Sequence, residues 1–268
     1  MKPTLIPSVQ ALLDRVASLT GKGFEFREKK DLPFFMALKL ARNGMPAHII
    51  YYDPKHDEVI NHLVAHECGH AFQMLGVPEE QRLLPKFSEK NRKIALYQME
   101  GDILEISQSL PFKRLTELIN SLFHGLVLQI ASTPPDIMVE YWLYDNIPDL
   151  RPYQQMCLLR QRGEAVRWLD LTVSKITPVK ILAASNIMNY CYFRLVGLHI
   201  GQNLVSPYSG SVYVNRGKEL ADITAREYRN DYLGDIAMTN RWAAFLDLQE
   251  WFSWTSFEVV PPNYLDTV

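Results

Sequence analysis

Little in this chain points to the commonest functional classes. It has only three cysteines, Cys68, Cys157 and Cys191, an odd number, widely spaced and set among apolar residues. That suits reduced thiols in a core better than a disulfide framework or a cysteine-based metal site. No apolar run reaches the roughly eighteen residues that a membrane-spanning helix needs. Net charge is only −2 over 268 residues, a balance that argues against nucleic acid as the main partner. A phosphate-cradling loop is also missing, since Gly21-Lys22-Gly23 lacks the rest of such a pattern. Repeats, low-complexity tracts and long linkers are absent too.

The N-terminal run MKPTLIPSVQALLDRVASL carries Asp14 and Arg15 and reads as an amphipathic helix rather than a signal peptide, so a cytoplasmic protein without membrane attachment is expected. Apolar residues make up 47% of the chain, enough for one substantial core or two small ones.

Three aromatic and aliphatic runs follow, at residues 24 to 29, 34 to 42 and 46 to 52, punctuated by Asp31, Pro33, Asn43-Gly44 and Pro46. They predict an antiparallel meander with a hairpin turn at Asn43-Gly44. Asp53-Pro54 or Asp57 can cap the next helix, whose apolar positions Val59, Leu63, Ala71, Phe72 and Leu75 recur at helical spacing until Gly76. From Pro85 onward the strand signal fades. Helices are predicted near 88 to 109, 111 to 132, 136 to 147 (opened after Pro134-Pro135), 153 to 175, 178 to 196, 217 to 233 and 240 to 254. The expected fold class is α+β: a small antiparallel sheet and a motif-bearing helix in residues 1–152, then a helical C-terminal half, residues 153–268, packed on the first as one unit.

The motif is His62-Leu-Val-Ala-His66-Glu67-Cys-Gly-His70. Residues four apart on a helix are only about 40° out of line and lie roughly 6 Å apart along the axis, so His66 and His70 can reach one ion. Imidazoles suit zinc (Zn2+), and a catalytic zinc site takes three protein ligands and leaves a position for water. Glu67, one step past His66, flanks the pair, where it can take a proton from that water and pass it to a leaving amine. Three histidines at successive four-residue intervals span about 12 Å of helix. That is too far for one ion at bonds of about 2.0–2.1 Å, so His62 is read as a rim residue or one bonded to solvent.

His66-Glu67-x-x-His70 is the H-E-x-x-H signature, and at these residues the chain resembles the zincin metallopeptidases. The extended form with a third histidine is excluded, because Gln73 and Gly76 stand where glycine and histidine would be needed. The gluzincin type of zincin uses a glutamate from a later helix, and the resemblance therefore directs attention to the downstream glutamates. Glu140 in DIMVEYWLYDNIP is flanked by apolar and aromatic residues and must be largely buried, which is costly for a carboxylate unless it is paired or bound to metal. Glu100 is the runner-up, with Glu79, Glu89 and Glu105 behind it. One turn to either side of Glu140 stand Asp136, an acceptor for an imidazole N–H or a helix N-cap, and Tyr144, a donor to the developing oxyanion.

The run from HIIYYDP through NHLVAHECGHAFQML is also similar to the ImmA/IrrE-like intracellular metallopeptidases, over residues 24 to 145. This resemblance implies an intracellular peptidase acting on a peptide or protein substrate, with His66, His70 and Glu140 binding zinc and Glu67 serving catalysis; the catalytic role of Tyr144 rests on its place one turn after Glu140, where many gluzincins have an aspartate. The other reading is a non-catalytic interaction module with a structural metal. Among the remaining features, Gly69 inside the motif helix suits close approach by a neighbour, and His124 and His199 in apolar segments read as core or rim residues. Arg151 is placed to lock the end of the Glu140 helix, and the aromatic series Trp242, Phe245, Trp251, Phe252, Trp254 and Phe257 to close the core or a subunit contact.

Overall fold

The computed structural model describes residues 3–30, 32, 34–42 and 44–261, a mixed α+β chain with small sheets and a largely helical C-terminal half. The first helix, α1 (Pro7–Thr20), begins on a proline, buries Val9, Leu12, Leu13 and Val16 along one face, and stops at Gly21, whose φ is +67°. Then come β1 (Phe24–Glu28), β2 (Met36–Lys39), β3 (His48–Tyr52) and, after a 3-10 turn capped by Asp53, α2 (Ile60–Leu75). The chain continues through β4 (Leu83–Lys86), α3 (Glu89–Gln98), α4 (Glu100–Ser107), α5 (Phe112–Asn146), α6 (Arg151–Val166), α7 (Leu171–Ser174), α8 (Val179–His199), α9 (Val214–Glu227), α10 (Tyr232–Leu246) and β5 (Ser253–Ser256).

The three strands exist where the sequence puts them, but they do not form a meander. Their order is β1-β3-β2: β1 pairs parallel with β3, and β2 pairs antiparallel with it. β3, His-Ile-Ile-Tyr-Tyr, is buried at all but one position and takes the centre; of the two edges, β2 is buried at all four positions and β1 at none. Near the expected hairpin, Met45 N–H donates to the Arg42 carbonyl at 3.0 Å and Gly44 has φ +78°. Asn43, like Asp31 and Pro33, lies outside the described residues. A two-stranded sheet of β4 and β5 was not foreseen; each strand has four residues and a partner far away in sequence.

Compactness divides the described residues into two units, and the division does not fall at residue 152. The first holds Met1–Leu84, Met138–Arg160 and the chain from Thr255; the second holds Pro85–Ile137 and Gln161–Trp254. In the first, α1 is tied to α2 by the Ile6 N–H bond to Asn61 Oδ1 (2.9 Å), and Arg15 lies 4.8 Å from the centre of the Phe72 ring. The second is organised by α8, which is buried on nearly every side; α9 reaches it closely because Gly217 has no Cβ where one would meet the Tyr190 ring at 2.5 Å. Trp242 and Trp251 are fully buried with their indole N–H groups bonded to Thr224 and Gln98, so these two aromatics close this core.

Several predicted boundaries shift. One helix, α5, runs straight through Pro134-Pro135, where two helices were expected. The prolines remove two amide donors from the ladder, but both rings are buried beside Ile130 and Ile137, and Thr133 Oγ1 donates back to Gln129 O at 2.7 Å. The segment expected as one helix over 88 to 109 breaks at Met99, and α10 starts early because Asp231 accepts from Gly234 N–H at 2.6 Å.

His48, 1% exposed at the start of β3, accepts from Ala41 N–H through Nδ1 and pairs through Nε2 with Thr20 Oγ1, both at 2.8 Å. Burial, with the Lys22 charge adding to it, lowers its pKa from 6.5 to about 4. The unfolded chain therefore binds more protons between those values, and folding stability falls as the pH drops through that window, by up to about 3 kcal/mol. In urea unfolding from pH 7 to pH 4, the stability advantage of the native protein over His48→Gln should shrink; a constant difference would refute this assignment.

Candidate metal centre

The motif helix α2 presents His62, His66 and His70 on successive turns of one face. His62 and His70 are buried and His66 is half-buried. The two rings of the expected pair converge: His70 Nε2 and His66 Nε2 are 3.0 Å apart, with ring centres at 4.7 Å. Two imidazole nitrogens facing each other at that separation share a proton or a cation, the arrangement that the four-residue spacing predicts.

Glu140, 0% exposed on α5, sits on the other side of His66. One carboxylate oxygen, Oε1, meets His66 Nδ1 at 2.8 Å, and His62 Nε2 lies 3.0 and 3.1 Å from Oε1 and Oε2. Gln154 on α6 reaches back with Nε2, donating to Oε2 at 2.6 Å and to the Glu140 carbonyl at 2.9 Å. Burial by itself would raise the Glu140 pKa. The charge and hydrogen bond of His62, and then those of His66, outweigh it and hold the carboxyl well below the usual carboxylate range.

Two corrections follow. His62 is no rim residue: it is fully buried and bound to Glu140, and its Nδ1 has no partner. Nor are His66, His70 and Glu140 assembled as one donor set among the described residues. His66 is shared: its Nδ1 side belongs with His62 and Glu140, its Nε2 side with His70. Burial of Glu140 itself is as the apolar flanks imply, and Glu79, Glu89, Glu100 and Glu105 are all exposed.

Glu67 is half-buried on the flank of the pair, and its Oε2 accepts from Leu38 N–H of the sheet-edge strand β2 at 3.2 Å. Tyr144 is one turn beyond Glu140, with Arg151 4.5 Å above its ring and the Arg151 Nε–H bonded to its carbonyl at 2.9 Å. Arg151 thus locks the end of α5 through a carbonyl and a ring rather than a carboxylate. Asp136 lies in the interior of α5, so it is not an N-cap. His124 and His199 are exposed, not core, and Cys68, Cys157 and Cys191 are buried free thiols, with burial raising the pKa of each.

Gln154 and the role of His62 escaped the sequence reading. A signal existed for both: His62 shares the stripe of His66 and His70, and Gln154 shares a buried stripe with Cys157 and Leu158. In chemical terms, His62, His66 and Glu140 bring one donor atom each within 4.8 Å of one another, a group that could hold a metal ion. Comparison with protein-family models, curated proteins and solved structures gave no match.

Gly69 explains how α2 and α5 come close enough for these contacts. A Cβ built there would stand 2.6 Å from Val139 Cγ1, one residue before Glu140. Alanine favours a helix by about 1 kcal/mol, yet overpacking at this point costs about 1–3 kcal/mol. Gly69→Ala is therefore expected to be less stable in urea unfolding, and a gain in stability would show that the helices do not meet there.

Proposed function

We propose that the protein is a zinc-dependent metallohydrolase of the peptidase class, with His66 and His70 holding the ion, Glu140 hydrogen-bonded behind His66, and Glu67 as general base. The reading rests on one observation above all: the His66 and His70 Nε2 atoms stand 3.0 Å apart with Glu67 beside them on the same helix. Bound at those nitrogens, zinc supplies a Lewis acid that polarises a substrate carbonyl and acidifies a water.

The chain's own residues perform the rest. Glu67 takes a proton from the attacking water and returns it to the departing amine. The Leu38 amide donates to one Glu67 oxygen and holds the carboxylate beside β2. An extended peptide adding beside β2 would bring its scissile carbonyl to that carboxylate, with main-chain hydrogen bonds fixing its register. Tyr144 remains the proposed donor to the oxyanion. Three buried reduced thiols suit an intracellular setting, and no helix among the described residues is long and apolar enough to cross a membrane.

Glu67→Gln decides between this reading and a structural metal. Zinc content should stay at the native level while cleavage of a peptide library falls by at least about 100-fold. Native protein with full zinc and no turnover on any peptide would favour the non-catalytic module instead.

A further inference from the structure

Resting on the reading of His66 and His70 as zinc ligands, we infer that Gln154 is a positioning residue for the ion: from α6 it fixes the carboxylate of Glu140, and that carboxylate fixes the ring of His66. All of these groups belong to the first compact unit.

Gln154 is 1% exposed, and with Cys157 and Leu158 it makes up the buried stripe of α6. Glutamine is mostly an exposed residue, and an apolar side chain of similar volume would fill the place without desolvating an amide. Its Oε1 has no hydrogen-bond partner among the described residues, so the acceptor end gains nothing from this position. The donor end is what the surroundings use.

That donor, Nε2, serves one residue twice, reaching Glu140 Oε2 at 2.6 Å and the Glu140 carbonyl at 2.9 Å. Gripping the side chain and the main chain of the same residue sets the carboxylate against its own backbone, where a single contact would leave it free to turn. With Gln154 on Oε2, Oε1 is the oxygen left for His66 Nδ1 at 2.8 Å, while His62 Nε2 straddles the two at 3.0 and 3.1 Å. The neutrality of the amide matters as well. A lysine or arginine in this place would neutralise the carboxylate, whereas an amide steers it and leaves its charge to the imidazoles. A carboxylate behind a ligating imidazole orients the ring and raises its basicity. The grip of Gln154 is therefore passed on to His66 Nε2, 3.0 Å from its counterpart on His70, although Gln154 itself donates to neither histidine.

The experiment uses the full chain with Zn2+ as the probe and affinity measured by chelator competition. Gln154→Met, close in shape but without a donor, should bind zinc about 10-fold more weakly. In a Glu140→Gln background the same substitution should change zinc affinity by less than about twofold, because its route to His66 is already broken. Arg160→Ala removes a different tie of α6, the bond from Arg160 to Glu58 Oε2 at 2.8 Å, and should leave zinc affinity native, which separates the positioning of Glu140 from general support of the helix. Native affinity in Gln154→Met, an undiminished loss in the Glu140→Gln background, or an equal loss in Arg160→Ala overturns the inference and leaves the zinc reading standing. Native protein that takes up no zinc overturns both. Should Gln154→Met fail to fold, Gln154→Asn, an amide too short to span both acceptors, is read by the same outcomes.

Discussion

A charge without water organises the first unit. The Glu140 carboxylate is wholly buried, a placement that costs several kcal/mol for an unpaired ion. His62, His66 and Gln154 compensate it, and they come from α2 and α6 while Glu140 belongs to α5. Removing a partner from such a group typically costs about 3–5 kcal/mol. Three helices are therefore pinned to one point, and the missing Cβ of Gly69 fixes how near α2 and α5 approach.

The same contact orients His66. Glu140 holds the Nδ1 side of the ring, and Nε2 thereby faces His70. On the opposite flank, the sheet does for Glu67 what Glu140 does for His66, through the Leu38 amide. One hydrogen-bond system joins these groups, so a substitution at Gln154 or Glu140 reaches the His66–His70 pair without touching it.

The second unit shows a different economy of construction. Its stability comes from the apolar circumference of α8 and from tryptophans whose polar edges are satisfied, with close helix contacts allowed by glycine at position 217. The long helix α5 contributes to both units, and it does so across two prolines because the apolar residues around them outweigh the lost amide donors.

Local pattern determined a good deal. The spacing of His66 and His70 and the place of Glu67 between them follow from helical periodicity, as does the position of the strands, and the apolar flanks of Glu140 announce its burial. Sheet order was beyond reach, because the parallel β1–β3 pairing joins strands that are not neighbours in the chain and the order of the runs carries no sign of it. The continuity of α5 was hidden for a related reason: proline reports the loss of a local hydrogen bond and is silent on the packing that compensates for it. Only the tertiary structure decided which nitrogen of His66 meets Glu140, since both nitrogens belong to the same ring in the sequence and a carboxylate on either side of it reads identically.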